Sequence, residues 1–142
     1  KPNVDERYSK EEIVTHWNAR VPAARIKHGI DIIGYLEDGE KYVIAVDESF
    51  MIPGIAETLI ALFKDGHTIV VSSLQLSSDF TPYAEMQAMM PFATKVEVCP
   101  AVCSTCGADA HYTKKIGGRS DHEIEVGGSE MYQPKCMEHF VD

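Results

Sequence analysis

Tyr42-Val43-Ile44-Ala45-Val46 is a continuous apolar, β-branched run that stops abruptly at Asp47-Glu48-Ser49. Runs of this kind lie inside parallel sheets, where both faces are covered, so the pattern predicts a central strand with acids at its tip. After Pro53, the residues Ile55, Leu59, Leu62 and Phe63 follow helical spacing. Proline suits the first turn of such a helix, and Gly66 is placed as its C-terminal stop. Thr68-Ile69-Val70-Val71 then reads as a second buried strand, which makes 42–73 a strand-helix-strand unit with the right-handed crossover expected of parallel strands. A helix from about Pro82 to Phe92 and a strand from Lys95 to Val98 repeat the theme. Met86, Met89 and Met90 fall at near-helical spacing, which is most simply core packing.

The pattern changes near Cys99 and Pro100, where short, glycine-punctuated β segments begin. Ala110 to Thr113 and Glu123 to Val126 alternate as half-exposed strands, with Ile116 to Asp121 as a mobile loop between them. The predicted organisation is an α/β domain over 1–99 and a small β module over 100–142, with no internal repeat.

Charge and apolar run length narrow the partners. Acidic residues outnumber basic ones by 22 to 13, giving a net charge of −9, so the overall field repels a polyphosphate backbone and duplex nucleic acid is a poor partner. Apolar runs such as Thr58 to Phe63 are far too short to cross a bilayer, so no membrane role is expected. The first residues lack a basic region, apolar stretch and small-residue cleavage site, which points to a cytoplasmic protein with reduced cysteines.

Those cysteines form a metal-binding pattern. Cys103-Ser104-Thr105-Cys106 and Cys136-Met137-Glu138-His139 are two knuckles whose two-residue spacing lets both ligands of a pair face one cation. Zinc takes four N/S ligands in a tetrahedron, and the matched second knuckle argues against a redox pair or two disulfides. A site with four protein ligands is closed, so this zinc is expected to hold shape rather than perform chemistry. Cys99 reads as a small buried hydrophobe at a strand end and as the reserve ligand should His139 fail.

Two further features admit a chemical and a plain reading. Acids at the carboxyl edge of a parallel strand stand where open α/β folds bind ligands, and in nucleotide enzymes they serve Mg²⁺ or activate a nucleophile. Equally, Asp47 and Glu48 could cap the helix that follows. Val126-Gly127-Gly128, with Tyr132 close behind, lets backbone approach a ligand, yet a turn joining two strands needs the same glycines.

Taken together, Asp47-Glu48 on a strand, Ala101-Val102-Cys103-x-x-Cys106, Val126-Gly127-Gly128, Tyr132 and the second knuckle occur in the order seen in zinc-containing thymidine kinases, and the chain resembles that family. The opening Asp5-Glu6-Arg7-Tyr8-Ser9, then Thr15-His16, is similar to the stretch after the family's second strand, so the resemblance runs from residue 1 to about 140. It implies a P-loop-type parallel sheet with flanking helices, followed by a zinc-ribbon-like module, and phosphoryl transfer from ATP to the 5′-hydroxyl of thymidine, giving dTMP. Under it Glu48 is the general base. Asp47, with Ser49 and Phe50 beside it, serves Mg²⁺ and the nucleotide, and Asp5, Glu6 and Arg7 lie near the phosphates. Met51, Phe80, Tyr132 and the stretch Glu123, Ile124, Glu125, Val126 and Gly127 contact the nucleoside, the last stretch as a lasso anchored at both ends by the zinc module. Zinc is structural, Mg²⁺ accompanies ATP, and the family is a homotetramer.

The sequence departs from the family pattern at named places. Ser49, Phe50 and Met51 stand where a Gln and an aromatic are usual, Gln75 replaces an aspartate, and Phe80 takes the place of the usual loop phenylalanine. No G-x-x-x-x-G-K-[ST] occurs among the 142 residues, so the amides and lysine that cradle a triphosphate are not supplied by them. These residues by themselves are therefore not expected to be a competent kinase. The rival expectation is a noncatalytic, zinc-bound nucleoside-binding or assembly module.

Overall fold

The structure, a computed structural model, describes residues 1–5, 9, 11–15, 17–117 and 131–141. The chain forms two compact units, Lys1–Gln75 with Tyr83–Phe92, and Leu76–Pro82 with Ala93–Asp142.

In the first unit, the strand-helix-strand element forms as its sequence pattern requires. Strand β3 (Val43–Val46) pairs in parallel with β4 (Thr68–Val71), Val43 opposite Thr68 and Val46 opposite Val71, and helix α1 (Ile55–Lys64) connects them. Ile55, Leu59 and Leu62 of α1 are buried with Val46, Ile26, Ile32 and Ile52, and Ile44, Ile69 and Val71 pack against this cluster. Phe63, counted with the apolar face, is 41% exposed instead. Only one sheet face reaches the core. Val43 is 73% and Val70 53% exposed, so β3 is not covered on both sides as its unbroken apolar run suggested, because α1 lies on one face. Among the described residues this parallel sheet has two strands.

Helix α1 stops at a Schellman turn. Gly66 has φ of +90°, its N–H donates to Phe63 O at 3.0 Å, and the N–H of His67 donates to Leu62 O at 3.1 Å, which satisfies the last carbonyls. Its start differs from expectation, since Pro53 precedes the cap residue Gly54 rather than sitting in the first turn. No side chain of Gly54 can cap, and the orphan amides are met from elsewhere. Glu85 on α2 (Ala84–Met89) accepts from Gly54 N–H at 2.7 Å and from Ala56 N–H at 2.8 Å. A carboxylate there satisfies two donors and sits at the positive end of the helix dipole. Helix α2 continues as a 3₁₀ turn, Met90–Phe92, so the predicted helix to Phe92 is present but changes type. Met89 packs on the core and Met86 accepts a hydrogen bond from Ser49 Oγ at 3.6 Å, whereas Met90 is exposed.

The remainder of the first unit frames this core. An antiparallel hairpin, β1 (Glu12–Val14) with β2 (Arg20–Pro22), carries an Arg20–Glu12 ion pair at 2.8 Å. Residues 1–3 run parallel to the chain at Ile26, with Asn3 N–H donating to Ile26 O at 2.8 Å and Ile26 N–H to Lys1 O at 3.0 Å. A 3₁₀ helix, Gly29–Tyr35, buries Gly29 and Ile32, three residues apart on one face. Asp31 accepts from the amides of His28 and Lys27 at its start, and those bonds, His28 first, lower the carboxyl pKa. Among the described residues no helix is long and apolar enough to cross a membrane.

The second unit is built of short antiparallel ladders, β5 (Ala101–Val102) with β6 (Asp109–Ala110) and β7 (Tyr112–Lys115) with β8 (Tyr132–Lys135), followed by the short helix α3 (Met137–Val141). The strand predicted for Lys95 to Val98 does not form. Those residues are exposed and unpaired in any ladder, since β-branched composition produces a strand only when a neighbour offers a ladder. His111 separates β6 from β7, so the expected strand 110–113 is divided. The strand expected at Glu123 to Val126, and most of the loop before it, lie outside the described residues.

Two substitutions test this packing. A Cβ on Gly29 would meet Gly54 O at 2.4 Å and Ile55 Cα at 2.7 Å, backbone that cannot swing aside. Gly29→Ala is expected to cost about 1–3 kcal/mol in chemical denaturation, as overpacking does. Glu85→Ala should cost about 1–2 kcal/mol, the loss of a helix cap, with Glu85→Gln intermediate because the amide oxygen still accepts. Equal stability of Glu85→Ala and the unchanged protein would show that α1 needs no cap from α2.

Candidate functional site

The acids that end β3 are held by the strand beside them. Ser72 follows Val71 directly, and its N–H continues the ladder by donating to Val46 O at 2.9 Å. Its carbonyl accepts from Ser49 N–H at 3.2 Å, and its hydroxyl donates to Asp47 Oδ1. Between these anchors the chain must turn sharply, and Glu48 adopts the left-handed conformation, φ 51° and ψ 43°. For a side chain other than Gly, Asn or Asp that conformation is uncommon, and it persists only where the surroundings impose it. A 3₁₀ turn, Ser49–Met51, follows, with Ser49 and Phe50 buried.

This geometry removes the cap explanation for the acidic pair. Helix α1 begins at Ile55 and takes its capping carboxylate from Glu85, while Glu48 occupies the cap position of the short turn without a side-chain cap bond. Phe50 N–H donates to Ser73 Oγ at 3.3 Å, and its ring packs on Tyr83 with centroids 4.5 Å apart. Met51 is half-buried in the same turn. Asp5 is 8% exposed, beside the parallel segment 1–3. Glu6 and Arg7 lie outside the described residues.

The cysteine and histidine side chains that could hold a metal ion converge in the second unit. One ligand atom each from Cys103, Cys106, Cys136 and His139 lies within 4.8 Å of all the others. Cys106 Sγ is 3.8 Å from Cys136 Sγ, and His139 Nδ1 is 3.2 Å from Cys136 Sγ and 3.9 Å from Cys103 Sγ. A zinc–sulfur bond of about 2.3 Å gives a sulfur–sulfur tetrahedral edge of about 3.8 Å, which the Cys106–Cys136 separation of 3.8 Å matches, nearly twice a disulfide's ~2.05 Å. Cys99 is exposed and stands outside the cluster, contrary to its expected burial, because the strand that would have covered it is absent.

Local folding brings these four side chains together. The first knuckle forms the turn of the β5–β6 hairpin, closed by Cys103 N–H to Ala108 O at 2.8 Å and Gly107 N–H to Cys103 O at 3.0 Å, with Gly107 at φ +76°. The second begins where β8 ends, and α3 presents His139 three residues after Cys136. Ser104 N–H donates to Pro134 O at 3.1 Å, Ser104 Oγ to Gln133 Oε1 at 3.2 Å and Lys135 Nζ to Thr105 Oγ1 at 2.7 Å, tying the first knuckle to the strand that carries the second. The amide of Cys136, helped by those of Thr105 and Cys106, holds the Cys103 thiol down at about 6. At Cys106 the Ala108 amide acts in the same direction, but desolvation and the neighbouring Cys103 and Cys136 outweigh it and raise the pKa. One thiolate thus suppresses the next, a crowding of negative charge that a dication relieves.

The same unit holds the ends of the segment between its ladders. Ile116 N–H donates to Met131 O at 2.8 Å, and Lys115 stands opposite Tyr132 in the β7–β8 ladder. Tyr132 is half-buried there, while Glu123, Ile124, Glu125, Val126 and Gly127 lie outside the described residues. Phe80, at φ +63°, packs on Phe140 with centroids 4.4 Å apart and edge-on to Tyr112 at 5.3 Å. Its observed contacts are therefore to an aromatic cluster next to His139.

Sequence reasoning missed Ser72 and Glu85. A polar pair, Ser72-Ser73, directly after a strand parallel to the one bearing the acids was the available signal for the first. The second gave none, because its partners are 31 and 29 residues away. Compared with protein families, residues 1–140 match the thymidine kinase family (TK, Thymidine kinase). With almost every residue inside that match, the chain belongs to the thymidine kinase family.

Proposed function

We propose that the protein is an ATP-dependent thymidine kinase of P-loop-type fold, transferring a phosphoryl group to the 5′-hydroxyl of thymidine to give dTMP, with Glu48 as general base. The observation that carries this is Glu48 itself, a carboxylate held in a left-handed turn at the carboxyl end of a parallel strand, where it caps no helix. Family membership supports the reaction class. Asp47 offers the hard oxygen donors that Mg²⁺ takes, and Mg²⁺ with ATP would supply charge neutralisation. Glu48 accepts the proton of the attacking hydroxyl, and binding of the nucleoside orients that hydroxyl toward the base. Asp5, Glu6 and Arg7 serve the phosphates. Ser49 and Phe50 shape the turn beside the nucleotide. Met51, Phe80, Tyr132 and residues 123–127 are assigned to the nucleoside on the family resemblance. A cytoplasmic homo-oligomer, a tetramer by the same resemblance, is part of this reading.

Zinc at Cys103, Cys106, Cys136 and His139 is the cation proposed for the second unit, structural because its four ligands close the coordination shell. The purified protein is expected to contain about one zinc per chain by elemental analysis, and Cys136→Ser to release it. Stoichiometric zinc retained in Cys136→Ser would remove Cys136 from the ligand set.

Glu48→Gln tests the base. The amide keeps the shape of the carboxylate but cannot take a proton, so in the full-length protein, with saturating ATP and Mg²⁺, turnover should fall by roughly 10²–10⁴ while thymidine affinity changes little. Full turnover in that variant would remove the base from the mechanism. Thermal unfolding measured alongside separates a chemical loss from a folding defect.

A further inference from the structure

Ser72 makes a hydrogen bond through each of its polar groups to the segment that carries the acids. Its amide holds Val46 O, its carbonyl holds Ser49 N–H, and its hydroxyl donates to Asp47 Oδ1. The first two bonds shape the backbone around Asp47 and Glu48 and any residue could make them. The third needs a short side-chain donor, which the serine hydroxyl supplies. A carboxylate on a strand end has free rotation about two bonds, and one charge-assisted hydrogen bond from a rigid neighbour selects a single orientation.

The geometry points to Ser72 as a positioning residue that fixes the Asp47 carboxylate for a hard divalent cation. With Oδ1 engaged by the hydroxyl, the carboxylate plane is set, and Oδ2 is the atom presented to the metal. Serine suits this place because it sits one residue beyond β4, where continuing the register that pairs Val46 with Val71 puts it across from Asp47. The neighbouring Ser73 has a different task, accepting from Phe50 N–H at 3.3 Å and donating to Leu74 O at 3.1 Å, so the two serines are not interchangeable. The inference rests on the kinase reading for the identity of the metal, and on the structure alone for the contact.

The test is a titration of Mn²⁺, as a spectroscopic stand-in for Mg²⁺, onto the full-length protein, followed by water-proton relaxation. Ser72→Ala should weaken Mn²⁺ binding about 3- to 10-fold, the effect of one hydrogen bond, and Ser72→Thr should restore it. Asp47→Asn should weaken it at least as much. In turnover assays, Ser72→Ala should raise the Mg²⁺ concentration at half-maximal rate by a similar factor and leave the thymidine KM unmoved, a split that a general loosening of the fold does not produce. Unchanged Mn²⁺ affinity in Ser72→Ala or in Asp47→Asn overturns the assignment. A full-length protein that phosphorylates no nucleoside, yet loses Mn²⁺ affinity on Ser72→Ala, would sink the kinase reading and leave the role of Ser72 standing.

Discussion

Register between β3 and β4 is the constraint on which the first unit depends. Val46 stands opposite Val71, and the bonds from Ser72 to Val46 and from Ser49 to Ser72 carry the pairing past the strand ends. A slip of β4 by one residue would turn Ile69 and Val71 away from α1 and bring Val70 inward, while β3 kept Ile44 and Val46 on the core face. It would also take the Ser72 hydroxyl away from Asp47. The packing that fixes the core and the geometry that fixes the acids are therefore one constraint. The backbone of Glu48 follows from it, since the left-handed turn is what joins a strand ending at Val46 to an amide anchored at Ser49.

The two units offer different donor sets. At the tip of β3 the polar groups are carboxylate oxygens, a hard donor set. In the second unit they are three sulfurs and a ring nitrogen, with Cys103 buried, suited to a soft site that stays filled. The hydrogen bonds of Ser104 and Lys135 fix the knuckle backbone before any metal is considered. Phe140, next to His139 in α3, carries the contacts to Phe80 and Tyr112, so the ligand helix is also the aromatic centre of its unit.

What the sequence revealed had a local cause. The knuckles are legible because two-residue spacing is a short-range requirement of ligand geometry. The β3–α1–β4 element is legible because its apolar period and Gly66 act within a few residues. The cap from Glu85 was hidden, since it depends on α2 meeting the start of α1 in space. The 3₁₀ helix at Gly29–Tyr35 was hidden for another reason, since it buries only Gly29 and Ile32 in a stretch rich in isoleucine. Lys95 to Val98 misled in the opposite direction, because alternation and β-branching describe a surface that could join a sheet, and pairing needs a partner as well. The acidic pair was ambiguous in sequence for want of the same long-range fact. Once Glu85 is seen to cap α1, Asp47 and Glu48 no longer have that role.

Cys106 and Cys136 bring together positions 30 residues apart in the chain. A metal bond that joins such distant points acts on the unfolded chain as a cross-link does, but a reversible one whose strength is set by a solute. The folding free energy of the module then rises by about 1.4 kcal/mol for each tenfold increase in free cation above its dissociation constant. With a metal bound there, the β7–β8 ladder, and with it the bond from Ile116 to Met131, would become sensitive to metal supply and to oxidants that consume thiolates. Through this linkage the abundance of an ion outside the protein would set how firmly Ile116 and Met131 are held together.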